Sequence, residues 1–152
     1  AWWKGKSMID RIRDETTKGH GNYATLLCNL LEGGRKPNGP VDEQGAKIDG
    51  EVLNKYLDQE KESVAKEKFI EIFSVRSWVQ IRAISSVFKD ISKKYTLCGA
   101  IKKLFGDDEL SEALQIIEEF ASTPYDYWAK KLQKTMKGMG SDDAGMTRIL
   151  VS

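Results

Sequence analysis

The chain has 152 residues, 31% of them charged and 40% hydrophobic, which suits one domain of ordinary size. Lys and Arg number 24 against 23 Asp and Glu, a net charge of +1; with no basic bias and no Arg–aromatic clustering, nucleic acid is excluded as the expected partner. No apolar run is long enough to span a bilayer. The chain opens on Ala1, without Met and without signal-like n- and h-regions, so its start is expected to be processed, cut or incomplete.

Apolar spacing is helical throughout, with no period-two run. Met8, Ile9 and Ile12 predict a short helix over 8–14, and ETTKGHGN at 15–22 breaks it with two glycines among cap-forming residues. Tyr23, Leu26, Leu27, Leu30 and Leu31 recur at three- and four-residue steps, an amphipathic helix. EGGRKPNGP at 32–40 holds three Gly and two Pro, the strongest linker signal in the chain.

Ile48, Val52, Leu53 and Tyr56 outline the next helix, and DQEKES at 58–63 is a charged break. Phe69, Ile70, Ile72 and Phe73 form another that ends at SVRS. Trp78, Ile81, Ile84, Val87, Phe88 and Ile91 continue as a longer one, and Leu97, Ala100, Ile101 and Leu104 as a short one. GDDE at 106–109 stops that helix and caps the next, whose face is Leu110, Ala113, Leu114, Ile117 and Phe120. Pro124 opens the helix of Tyr125, Trp128, Leu132 and Met136. Met146, Ile149 and Leu150 start one more.

Within these helices, Trp78 and Trp128 fall on apolar faces and are expected in the core. Cys28 and Cys98 lie in apolar patterns and are expected as buried free thiols, a disulfide being the alternative. A cysteine metal pair is not supported, because no CxxC occurs and His20 is the only histidine. Carboxylate pairs occur without a His or Cys partner, so no catalytic constellation is seen and the chain is not expected to be an enzyme.

The helix series repeats itself. MIDRIRDE from Met8 matches LCGAIKKL from Leu97, YATLLCNLL from Tyr23 matches LSEALQIIE from Leu110, and FIEIFSV from Phe69 matches MTRILVS from Met146. The offsets, roughly 75–90 residues, exceed those of common helical repeats. The middle copy has five helices; the first shows only its last two and the last only its first two. A repeat buries its faces against its own helices and its neighbours. The two partial copies are therefore expected to lack partners here, with missing repeats or another chain completing them.

MKGMGSDDAGM at 136–146 is the stretch with site chemistry. As a helix start it needs only glycine to end one helix, Ser141 to cap the next, and Asp142 and Asp143 to complement its dipole. It is not a phosphate loop, which needs a longer glycine run with Lys and Ser/Thr after the second Gly. Nor is it a calcium hand, which needs alternating acids and a closing Glu. The remaining option is a calcium site built mostly of backbone carbonyls, with its carboxylate drawn from elsewhere in the fold.

The same stretch, MKGMGSDDAGMTRILVS, resembles the opening of an annexin repeat, M-K-G-x-G-T-D followed by a helix ending in V-S-R. FIEIFSVRS resembles that helix in the middle copy, STPYDYWAKKLQKTMKG the entry to the last repeat, and KSMIDRIRDETTKGHGNYATLLCNLL the closing helix pair of a repeat. The Gly/Pro connection is similar to the linker between the family's second and third repeats. The drift from the pattern is compatible with a protist member of the alpha-giardin type.

The resemblance implies an all-α array of five-helix repeats: 1–31 as the last two helices of one repeat, 32–45 as linker, 46–121 as a complete repeat, and 122–152 as the first two helices of the next. It implies calcium-dependent binding to acidic phospholipid, and a cytoplasmic protein peripheral at membranes. Main-chain oxygens of Met136, Gly138 and Gly140 match the calcium ligands; Met139 matches the residue at the bilayer, and Lys137 is placed to meet a lipid phosphate. Glu15 matches the carboxylate ligand of the first copy, whose loop would precede Ala1; the carboxylate of the last copy would lie beyond Ser152. The stretch after Glu15 is longer than the family pattern.

In the middle copy LDQEKESVAKE at 57–67 has no glycine, and Leu104 fills the acid position, so no carbonyl-loop calcium is expected there. Arg76 matches a structural repeat arginine. The alternative function is a calcium-independent helical scaffold, or a module for a cytoskeletal protein, that kept the fold and lost its ion sites.

Overall fold

A computed structural model describes residues 5, 7–16, 21–59, 62–137 and 142–151. These residues form helices α1 (Met8–Thr16), α2 (Gly21–Leu31), α3 (Glu43–Asp58), α4 (Glu62–Val75), α5 (Trp78–Ile91), α6 (Leu97–Phe105), α7 (Glu109–Ser122), α8 (Pro124–Met136) and α9 (Asp143–Val151). No strand occurs among the described residues.

Local chemistry explains where the helices start. At several of them a short polar side chain ahead of the helix takes an amide that would otherwise lack an intrahelical partner. Asp42 accepts from Gly45 N, Thr96 from Gly99 N and Asp108 from Ser111 N, at 2.8, 3.1 and 2.7 Å. Ser7 and Asp10 form a reciprocal pair at the start of α1: Ser7 Oγ accepts from Asp10 N at 3.1 Å, and Ser7 N donates to the Asp10 carboxylate at 3.2 Å. Gly106 ends α6 with φ 75°, a conformation that L side chains rarely adopt.

The core is built by α3–α7 with α2 laid on α4 and α7. Phe69, Phe73, Phe88, Leu53, Ile81, Ile84, Ile101 and Leu114 are fully buried in one cluster. Gly50 lets α3 cross α5 closely, since a Cβ there would stand 3.2 Å from Val87 Cγ1. Helix α3 begins at Glu43, inside the stretch 32–45 read as linker. Its inward face is Ala46, Asp49, Gly50, Leu53 and Leu57. Ile48, expected on that face, is 49% exposed, because it falls one residue away from the row that meets α5.

The two flanking helix pairs are seated differently. Contrary to expectation, the first is not without partners: α2 buries Ala24, Leu26 and Cys28. Helices α8 and α9 bury no residue fully and pack on each other, with α8 also on α7. Trp78 is half-buried and packs against the core, whereas Trp128 is half-buried outside it; both stand around Phe120 at the edge where α8 meets α7. Both cysteines are free thiols, Cys28 buried and Cys98 half-buried.

Candidate ion-binding loop

The stretch 136–146 joins α8 to α9. Helix α8 is capped in its last turn by Lys137 N donating to Gln133 O at 3.1 Å, and Lys137 leaves the helix with extended backbone (φ −92°, ψ 119°). Met136 is 57% exposed and Lys137 is exposed. Gly138, Met139, Gly140 and Ser141 lie outside the described residues. The loop's two ends are tied together: Asp142 N donates to Thr135 O at 3.1 Å, and Thr135 Oγ1 donates to Leu132 O at 2.7 Å.

Asp142, not the expected Ser141, caps α9. Its carboxylate accepts from Gly145 N at 2.9 Å, and its carbonyl accepts from Met146 N at 2.8 Å. The helix starts at Asp143, so the residue placed to reach its third amide is Asp142. That carboxylate is occupied by the helix end. Met136 belongs to the last turn of α8, where main-chain carbonyls lack intrahelical partners and the helix dipole is negative. This donor chemistry suits a hard cation that takes carbonyl oxygens.

Glu15 is exposed in the last turn of α1. Helix α1 rests on α2, whereas α8 rests on α7 and α9, so Glu15 and Met136 stand at opposite ends of the packing order. Among the described residues no three His, Cys, Asp or Glu side chains converge as a metal group.

The corresponding corner of α3–α7 is filled by side chains. Leu104 is 8% exposed and belongs to the core with Leu57 and Phe105. The Lys66 amino group lies 5.8 Å from the Phe105 ring centroid and 2.8 Å from Glu62. Leu104 thus brings an apolar side chain, and no carboxylate, to this corner.

Two arginines that periodicity alone does not reveal as a pair meet at the C-terminal end of α4. Arg76 donates through Nε and Nη2 to Asp49 Oδ2 and Oδ1, at 2.7 and 3.1 Å, and joins the end of α4 to α3. The hydrogen bond to Asp49 holds the Arg76 guanidinium above its ordinary pKa. Arg35, in the linker, donates to Phe73 O and Arg76 O, each at 2.6 Å. The Gly/Pro composition that marks the linker carries no sign of these contacts.

No protein-family profile matches the chain. The human protein Annexin A3 is 31% identical over 147 residues, covering 97% of this chain and 44% of its own. Annexin A7 of Dictyostelium discoideum is 32% identical over 148 residues, 97% of this chain and 31% of its own. A solved structure, Annexin III, superposes with a TM-score of 0.79 at 27% identity over 96% of this chain and 44% of its own. The chain belongs to the annexin family. It spans less than half the length of these annexins. Its all-α architecture is the annexin repeat fold. No helix among the described residues is long and apolar enough to cross a membrane.

Proposed function

We propose that this annexin chain is part of a calcium-dependent phospholipid-binding protein, peripheral at the cytoplasmic face of acidic membranes and without enzymatic activity. The loop after α8 holds calcium through main-chain oxygens of Met136, Gly138 and Gly140. Met139 and Lys137 meet the bilayer, and Glu15 serves the site of the preceding repeat. Residues 1–31, 32–45, 46–121 and 122–152 are a repeat end, a linker, a whole repeat and a repeat start; the partial repeats are completed by further repeats or another chain.

One observation carries this reading. A loop with two glycines one residue apart leaves the negative end of α8 and returns to an Asp-capped helix. Family membership supplies the rest, since annexins are known for calcium-dependent phospholipid binding. Calcium held by few protein charges keeps coordination positions open for lipid phosphate oxygens.

The test is sedimentation of the intact protein with phosphatidylserine vesicles, first with calcium and then with chelator, beside a Gly138→Val, Gly140→Val variant. Binding with calcium, release by chelator and loss in the variant are expected. Undiminished binding by the variant would refute the loop assignment. Binding that ignores calcium, or none, supports the scaffold or cytoskeletal alternative.

A further inference from the structure

Away from the loop, a set of polar and aromatic contacts lies where the linker crosses the end of α4 and the start of α5. Lys36 N donates to Val75 O at 2.9 Å. The two hydrogen bonds from Arg35 hold carbonyls at the end of α4, and its guanidinium lies 4.0 Å from the Trp78 ring centroid. Burial pushes the Arg35 pKa down. The negative end of α4 and the indole face offset that cost.

Trp78 begins a series of ring contacts that leads to α8. It meets Phe120 of α7 edge-on, with centroids 4.8 Å apart at 75°. Phe120 in turn meets Tyr127 and Trp128 of α8 edge-on, at 5.6 and 6.0 Å. The Lys131 amino group closes the far side, 5.4 Å from the Tyr127 centroid. Helix α8 otherwise packs on α9, buries no residue fully, and reaches α7 through Lys130, which meets Glu119 at 2.6 Å on an exposed surface.

We propose that Arg35 is a positioning residue for α8, acting through Trp78 and Phe120 on Tyr127 and Trp128. Without the guanidinium, Trp78 loses the group packed on its face and gains room to turn. Phe120 then loses its edge-on partner, and the rings of α8 lose theirs. Close-packed rings pass such a shift on because no slack separates them. The linker, 38 residues or more from either contact it makes on α4, thereby shares control of a helix that begins at Pro124. This coupling requires no calcium, so its failure is distinct from failure of the ion-loop reading.

Native-state hydrogen exchange on the full chain tests it. Arg35→Met keeps the stem and removes the charge and donors. It is expected to raise exchange of the α8 amides by about threefold or more, with central α3 amides unchanged. In a Phe120→Leu background the same substitution is expected to leave α8 exchange unaltered, because Phe120 is the ring through which Trp78 reaches both Tyr127 and Trp128. If Arg35→Met does not fold, Arg35→Lys serves, since a single ammonium cannot hold both carbonyls in the forked geometry; a smaller rise in α8 exchange is then expected. Unchanged α8 protection in the folded variant, or an equal effect with and without Phe120, overturns the proposal.

Discussion

Arg76 grips Asp49 with both prongs of its guanidinium, and Asp49 is only 8% exposed. The pair fixes the end of α4 to the second turn of α3. Arg76→Ala leaves a nearly buried carboxylate without its charge partner. Arg76 is itself partly exposed, its side chain at 34%, so solvent offsets some of that loss. A cost of roughly 1–3 kcal/mol is expected. Urea denaturation monitored by circular dichroism reads it; a midpoint within error of the parent's would show that the pair contributes nothing.

Asp142 ties α9 to the loop before it, and its removal separates helix capping from ion binding. Asp142→Ala is expected to destabilise α9 by about 1 kcal/mol. The change should register in exchange of the Gly145 and Met146 amides, which use the Asp142 carboxylate and the start of the helix. The α5 amides should remain as protected as in the parent. Unaltered exchange at Gly145 would mean that the carboxylate is not what holds that end.

Cys98 offers a pH test. Burial first, then the negative Glu118 and Glu119, push its thiol above the ordinary 9.0. The folded state therefore favours the neutral thiol. Its contribution to stability is complete below pH 9.0 and is lost as pH rises through the folded value. Alkylation by iodoacetamide should accelerate at higher pH in the folded chain than in urea. A native pH profile superposed on the unfolded one would contradict the shift. Cys28, buried at 5% exposure, should react more slowly than Cys98 throughout.

Helix positions were legible because their signals are local. GDDE at 106–109 ends α6 at Gly106 and caps α7 through Asp108, and Pro124 stands at the first position of α8 as expected. The loop after α8 was legible as a motif, and its Met136 and Lys137 ends are exposed. Its cap was misread by one residue, since Ser141 and Asp142 are both good caps and only the register of α9 separates them. Ile48 was misplaced because a helical stripe is broad, and the crossing of α3 on α5 at Gly50 selects which edge is covered.

The amino-acid order by itself determined an all-α chain, its internal repetition and the break at 32–40. Each rests on spacing within a turn or two, or on the identity of single residues. Tertiary structure alone decided that α2 is sheltered while α8 and α9 remain uncovered. It also decided that Arg76 meets Asp49, 27 residues away, and that Arg35 reaches the end of α4 beside Trp78. Such pairings depend on how helices cross, and side chains distant in sequence meet only after those crossings are set.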